Sequence, residues 1–129
     1  MAESVKHISS HGDFDALLST TRYVVADFYA DWCGPCKTIA PFFQQFASSF
    51  SIPGYLAFAK INVDNNQSVA QKYRVAAMPT FLFFKDGKQV AVNGSAMIQG
   101  ADLPSLKSAV EKMGKLAKEK AAAAAADGA

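Results

Sequence analysis

The two cysteines of this chain are separated by two residues, in the segment Trp32-Cys33-Gly34-Pro35-Cys36. An apolar run typical of a buried strand precedes the pair, and a segment with helical periodicity follows it. The first thiol therefore falls at a helix N-terminus, where unpaired N–H groups and the helix dipole favour a thiolate. A thiolate attacks a disulfide, and a second thiol one turn later completes the exchange. The spacing predicts thiol–disulfide exchange.

Metal binding is the main alternative for a cysteine pair. Tetrahedral zinc takes four protein ligands, or three with a water molecule. Besides the cysteines, the chain offers only His7 and His11, near its N-terminus. We therefore expect no metal site and assign both histidines to the surface. The chain also lacks a glycine-rich dinucleotide motif, so we expect no bound nicotinamide cofactor.

Length and composition indicate a single domain. A chain of 129 residues, half of them apolar, is long enough for a sizeable core. The formal net charge of +2 indicates no nucleic-acid partner and no membrane partner. The first residues lack the basic and apolar regions of a signal peptide, and a cysteine pair without a secretory signal fits a reducing compartment. We expect a monomer in the cytoplasm, with the nucleus kept open as a second location.

Hydrophobic periodicity and turn residues predict an α/β protein with the order β-α-β-α-β-α-β-β-α. The predicted strands are Val5–Ile8, Tyr23–Tyr29, Leu56–Val63, Thr80–Lys85 and Lys88–Val92, and the predicted helices are Asp13–Ser19, Gly34–Phe50, Gln67–Tyr73 and one from Leu103. The first three strands need crossovers, which imply parallel pairing, whereas Asp86-Gly87 is a hairpin signal. The pattern predicts a central mixed five-stranded sheet flanked by four helices on both faces.

The two long helices should turn apolar faces toward the sheet. The expected inward residues are Ile39, Phe42, Phe43, Phe46 and Phe50 on one helix, and Leu106, Val110, Met113 and Leu116 on the last.

Residues 1–113 form the predicted domain, and residues 114–129 a Lys/Ala-rich C-terminal tail. Ala and Lys favour helix, whereas Gly114 weakens a helix by about 1 kcal/mol relative to Ala. No large apolar residue follows Leu116 to anchor this tail. Two alternatives stay open for the tail, a fraying extension of the last helix or a disordered linker.

Several separated segments resemble the thioredoxin family, in the family's order. They are Ala26–Lys37 with Ile39-Ala40-Pro41, Lys60–Asp64, Met78–Phe81, Phe84–Gly87 and Gly100-Ala101. Together they span roughly residues 5 to 113, nearly all of the predicted domain. The resemblance implies the thioredoxin fold and a redox-active disulfide between Cys33 and Cys36.

The resemblance also implies a role for each residue around the pair. Cys33 is the more exposed thiol and the nucleophile, and Cys36 is the resolving thiol. Gly34 lets a substrate backbone approach closely, and Pro35 costs no hydrogen bond in the first helical turn.

Asp27 interrupts an apolar run, so burial should raise the pKa of its carboxyl group. The matching aspartate in the family assists deprotonation of the resolving cysteine, which makes Asp27 a general base for Cys36. The alternative is a strand-end aspartate that turns to solvent. Lys60 is the family's partner for this carboxylate; an ordinary edge lysine is the alternative.

The substrate groove of the family maps onto the loops around the cysteines. Pro79 should be cis and pack against the disulfide, and Met78 should pair its backbone with substrate, although Met78 could also simply fill the core. Trp32 should wall the groove, and Gly100 and Ala101 should line it.

Two positions depart from the family pattern. Tyr29 stands where a second tryptophan is common. The segment between Val90 and Gly100 carries extra residues, with a turn at Asn93-Gly94-Ser95. This segment either extends the groove rim or forms a longer hairpin without function.

The leading hypothesis is a general protein disulfide reductase. Gly-Pro between the cysteines resembles the family's reducing members, since proline adds neither charge nor a hydrogen bond to the thiolate. The resemblance implies NADPH as the indirect electron source through thioredoxin reductase, and disulfide-containing protein substrates such as peroxiredoxins. The alternative is a thioredoxin-like docking or regulatory module of a larger protein.

Overall fold

The computed structural model describes residues 4–128. Its strands are β1 Val5–His7, β2 Tyr23–Tyr29, β3 Leu56–Asn62, β4 Thr80–Lys85, β5 Lys88–Val90 and β6 Met97–Gln99. Its helices are α1 His11–Thr20, α2 Gly34–Phe50, α3 Gln67–Lys72 and α4 Leu103–Gly128. Every predicted element is present, and β6 is an addition.

The strands form one mixed sheet in the order β1-β3-β2-β4-β5, with β6 also paired to β4. β1 and β2 both run parallel to β3, whereas β4 runs antiparallel to β2. The predicted mixed sheet with four helices is therefore confirmed. β2 lies in the middle, and six of its seven residues are buried, as the continuous apolar run predicts.

Side chains alternate between the two faces of the sheet, and each face has its own core. On one face, Val25, Phe58 and Phe81 pack against α2 and α4. On the other face, Phe28 and Phe84 pack with residues of α1 and α3. Asp27 follows Val25 by two residues, so its side chain lies on the α2 face of the sheet.

The sixth strand lies in the segment between Val90 and Gly100, which the sequence indicates to be longer than the family pattern. β4 pairs with β5 through its C-terminal half and with β6 through its N-terminal half. Between β5 and β6, Val92 pairs with Ser95 around the predicted turn. Asn93 and Gly94 have φ values of 53° and 82°, the left-handed backbone that a two-residue hairpin turn requires. We call residues 91–96 the excursion.

Two predicted inward residues are wrong. Phe42 is 41% exposed, because the face of α2 that meets the sheet follows Ile39, Phe43 and Ala47 at four-residue spacing. Leu116 is 37% exposed, and Ala117 takes the inward position four residues after Met113.

Phe46 and Phe50 also differ in degree from the prediction, since both are only partly buried beside this core.

The last helix continues through the Lys/Ala-rich segment. α4 runs without a break from Leu103 to Gly128, so the backbone of residues 114–128 is an extension of the last helix. The helix is anchored as far as Ala117, and residues after it are mostly exposed. The boundary between a domain ending at 113 and a tail stays a prediction. Across residues 4–128, no helix combines the length and apolarity needed to cross a membrane.

Candidate active site

The cysteine pair occupies the junction between β2 and α2. Cys33 is the N-cap of α2, and its Sγ accepts a hydrogen bond from the backbone N–H of Cys36 at 3.1 Å. Pro35 stands in the first turn of α2, where a missing N–H costs no helical hydrogen bond. The two sulfurs form a disulfide, with the Cα atoms 5.3 Å apart.

The expected difference in exposure between the two cysteines is absent in this disulfide form. Cys33 and Cys36 are each 4% exposed, because both pack with Ala30 and the half-buried Met78. The two sulfurs are distinguished instead by the hydrogen bond that the Cys36 N–H donates to Cys33 Sγ. A donor directed at a sulfur stabilises its thiolate form, which favours Cys33 as the nucleophile once the disulfide is reduced.

The turn before β4 faces the disulfide. The Met78–Pro79 peptide bond is cis, the isomer that the family resemblance implies. The Cys33 sulfur lies 3.5 Å from the Met78 carbonyl oxygen. The Pro79 carbonyl accepts a 2.7 Å hydrogen bond from the Gly100 N–H, which joins this turn to the loop of Gly100 and Ala101. The structure therefore brings Cys33, Met78, Pro79 and Gly100 together.

Trp32 forms an exposed wall beside the disulfide. Its side chain is 68% exposed, and its Nε1 donates a 3.1 Å hydrogen bond to Asp64 Oδ2. Asp64 was not predicted as a site residue, since its link to Trp32 spans 32 positions of sequence. Gly34 and Pro35 are also exposed, and a Cβ built on Gly34 would meet no atom within 4 Å outside its chain neighbours and the backbone of its own helix. These residues leave an open surface around the disulfide.

Asp27 is buried, as predicted. The residue is 1% exposed, and neither carboxyl oxygen has a hydrogen-bond partner within residues 4–128. Loss of hydration raises the pKa of this carboxyl group to about 7, while the positive charge of Lys60 acts in the opposite direction. The alternative of a solvent-facing aspartate is wrong. A pKa near 7 suits a group that accepts a proton at neutral pH.

Lys60 is the residue that pairs with Asp27 across β2 and β3. Residues paired in this way project to the same face of a sheet, so both side chains lie on the α2 face. Lys60 is half-buried, and its Nζ lies 4.3 Å from the centre of the Tyr29 ring. The predicted neighbourhood of Asp27 and Lys60 is therefore present, while their roles in catalysis stay predictions.

Metal binding was the main alternative for the cysteine pair. No group of three or more His, Cys, Asp or Glu side chains among residues 4–128 is placed to hold a metal ion. His11 instead contacts the Ser68 hydroxyl at 3.2 Å.

The excursion contacts α4 through a 3.1 Å hydrogen bond from the Asn93 side chain to Ser108. A cleft of 380 Å³ lies between the excursion and the start of α4. The two alternatives for the excursion, an extended groove rim or a longer hairpin without function, stay predictions.

Several known proteins are similar to this chain in amino-acid sequence. A family model for thioredoxin matches residues 5–112. A thioredoxin of Neurospora crassa is 74% identical over 124 residues, which are 96% of this chain and 98% of that relative. A thioredoxin-like protein 1 of Schizosaccharomyces pombe is 43% identical over 107 residues, 83% of this chain but 35% of that relative.

Solved structures agree with the sequence matches. The structure of Plasmodium falciparum thioredoxin matches with a TM-score of 0.74 and 36% identity, over 83% of this chain and 97% of that one. The fold is thus the thioredoxin fold, and a disulfide occupies its Cys-x-x-Cys segment. The chain is a thiol–disulfide oxidoreductase, and it belongs to the thioredoxin family.

Proposed function

We propose that the chain is a general protein disulfide reductase whose Cys33–Cys36 pair cycles between dithiol and disulfide. The position of Cys33 carries the proposal. Its sulfur caps α2, accepts an N–H hydrogen bond and lies beside the cis-proline turn, on a surface that Trp32 leaves open. This arrangement stabilises an attacking thiolate and leaves room for a protein disulfide to approach.

Reduction then proceeds in two exchanges. The Cys33 thiolate attacks one sulfur of the substrate disulfide, and the other substrate sulfur leaves as a thiolate. The Cys36 thiol gives up its proton, attacks the Cys33 sulfur of the mixed disulfide and releases the second substrate sulfur. The substrate gains two electrons and two protons, and the chain is left with the Cys33–Cys36 disulfide.

Asp27 is the proposed acceptor of the Cys36 proton. Its side chain lies on the face of the sheet that α2 covers, and Cys36 belongs to the first turn of that helix. A buried carboxylate with a pKa of about 7 takes up a proton more readily than an ordinary aspartate does. Lys60 favours the ionised form of Asp27 and so keeps part of the base available at neutral pH.

The electron source and the cellular setting belong to the same proposal. Thioredoxin reductase would transfer electrons from NADPH to the disulfide, and the dithiol would pass them to substrates such as peroxiredoxins. Gly34 and Pro35 add no charge beside the sulfurs, which favours a stable disulfide and a reducing dithiol. Such electron transport contributes to cell redox homeostasis, and we place it in the cytoplasm, with the nucleus as a second compartment.

Insulin reduction tests this function. With NADPH and a thioredoxin reductase, the wild-type chain should reduce insulin disulfides, and Cys33→Ser should be inactive. Cys36→Ser is the matched control, because it should still form the mixed disulfide but not release it. Activity with dithiothreitol but none with thioredoxin reductase would contradict the proposed electron donor. Inactivity with both would contradict the reductase itself.

A docking module of a larger protein is the second candidate. It is favoured by the Schizosaccharomyces pombe relative, of which the matched region is only about a third. The largely exposed end of α4 beyond Ala117 would then lead toward a further domain. The match over 98% of the Neurospora crassa thioredoxin supports the free reductase instead. Sequencing the full reading frame distinguishes the two, since a stop codon after Ala129 would favour the free reductase and a longer frame would favour the module.

A further inference from the structure

Four side chains form a group at the active-site end of β2 and β3. Asp27 pairs with Lys60, and Tyr29 pairs with Asn62. Residues two apart in a strand project to the same face, so all four lie on the α2 face. Tyr29 and Lys60 thus occupy diagonal positions on neighbouring strands, a separation that long side chains bridge.

The ammonium group of Lys60 is held by the ring of Tyr29. Its Nζ lies 4.3 Å from the ring centre, well within the range of a cation–π contact. Asp27, by contrast, makes no hydrogen bond to Lys60, because both carboxyl oxygens lack partners among residues 4–128. The charge of Lys60 therefore reaches Asp27 through space, and its effect depends on where the flexible lysine chain places Nζ.

We propose that Tyr29 is a positioning residue for the Asp27–Lys60 pair: its ring keeps the Lys60 ammonium near the buried carboxylate rather than in bulk water. The proposal rests on the proposed function, in which Asp27 accepts the proton of Cys36. A lysine of this length otherwise samples many rotamers, and solvent would screen its charge from Asp27. The aromatic ring supplies an attraction that a hydrophobic residue of similar size would not.

The surroundings of Tyr29 keep its hydroxyl group protonated at neutral pH. Burial raises the pKa of the Tyr29 hydroxyl group, and the negative charges of Asp31 and Asp27 raise it further, against a hydrogen bond from Asn62 that lowers it. The ring thus remains a phenol at neutral pH and attracts the cation through its π face. On β4, the residue paired with Asp27 is Phe81, which carries no charge. The first turn of α2 presents Cys36.

Direct titration of Asp27 tests the proposal. The ¹³C shift of the Asp27 carboxyl carbon is followed against pH in the disulfide form of wild type, Tyr29→Leu and Tyr29→Phe. Loss of the ring should move the midpoint to higher pH, so the ionised fraction at pH 7 falls about two- to threefold in Tyr29→Leu. Tyr29→Phe keeps the ring and should titrate as wild type does.

A second background separates positioning from a general packing effect. In Lys60→Met, Tyr29→Leu should leave the Asp27 midpoint unchanged, because there is no ammonium left to position. The wild-type chain gives an independent readout, since a ring 4.3 Å from Nζ should move the Lys60 side-chain proton signals upfield. This measurement needs no variant and stands even where Tyr29→Leu fails to fold.

The outcomes have distinct meanings. An unchanged midpoint in Tyr29→Leu, an equal change in Tyr29→Phe, or Lys60 protons without a ring-current shift would overturn the proposal. A shifted midpoint that disappears in the Lys60→Met background would support it. The pH profile of insulin reduction is measured in parallel. If the Asp27 midpoint shifts while that profile does not, Tyr29 positions the pair as proposed, but Asp27 is not the base for Cys36.

Discussion

Trp32 is joined to Asp64 by a hydrogen bond from its indole N–H to the carboxylate, 3.1 Å long. Asp64 is itself held by a 3.0 Å hydrogen bond from its backbone N–H to the Asn62 side chain. The exposed indole beside the disulfide is therefore attached to the end of β3, although it lies next to Cys33 in sequence. This attachment sets the orientation of the groove wall.

Asp64→Ala should release the Trp32 ring and weaken binding of protein substrates. We expect the KM for insulin to rise severalfold with little change in kcat, because the cysteines are untouched. Stability should fall by about 0.5–1.5 kcal/mol, as for other single hydrogen bonds. Fluorescence anisotropy of the single tryptophan checks the release of the ring. Asp64→Asn keeps an acceptor and is the control; a KM increase equal to that of Asp64→Ala would contradict this explanation.

Asp27 should make the protein less stable as the pH rises. Its pKa is about 7 in the folded chain against 3.8 for an ordinary aspartate, so the folded state binds more protons between these values. Its contribution to stability is full below pH 3.8 and is lost as the pH passes 7. Asp27→Asn removes this loss and should be more stable at pH 8, by on the order of 2–4 kcal/mol.

Urea unfolding of the disulfide form at several pH values measures this effect. The stability difference between Asp27→Asn and wild type should grow from about pH 4 to about pH 7 and then stay constant. A constant difference over the whole range would show that Asp27 is not a buried group with a raised pKa.

Asp27→Asn should also slow the release of substrate from the mixed disulfide. A thiol with an ordinary pKa of about 8.5 is only about 3% ionised at pH 7, so base assistance gains at most about thirtyfold. We expect a loss of roughly tenfold at pH 7 that shrinks toward pH 9, where an ordinary thiol ionises without a base. Single-turnover release of a thiol from a Cys33 mixed disulfide measures this step. Equal rates for wild type and variant from pH 6 to pH 9 would exclude the role.

Gly114 should resist replacement by alanine, although it lies inside a helix. Alanine normally stabilises a helix by about 1 kcal/mol relative to glycine. Here a Cβ at position 114 would lie 2.6 Å from Cδ1 of Phe50, so α2 and α4 or the ring must shift. Overpacking of this kind costs about 1–3 kcal/mol, which makes Gly114→Ala neutral to destabilising.

A double-mutant cycle checks the cause of that cost. In a Phe50→Ala background the clash is absent, and Gly114→Ala should then stabilise the fold by about 1 kcal/mol. The same effect of Gly114→Ala in both backgrounds would show that Phe50 does not set the requirement for glycine.

Much of the fold and part of the site follow from local patterns. The strand and helix positions were predictable because apolar periodicity spans whole elements, and the Asp86-Gly87 hairpin because its turn chemistry is local. The burial of Asp27 was predictable because its neighbours in β2 are apolar on both sides. Phe42 and Leu116 were wrongly placed because several turns of α2 and α4 offer more apolar residues than one face can bury.

The sequence by itself determined the chemistry of the Cys33–Cys36 pair, since two thiols at a helix start are a matter of local spacing. Only the tertiary structure decided what surrounds them. The hydrogen bond from Trp32 to Asp64, the ammonium of Lys60 over the ring of Tyr29 and the closeness of Phe50 to Gly114 each join separate segments. No local pattern encodes such contacts, because strand register and helix packing set the distance between residues far apart in the chain.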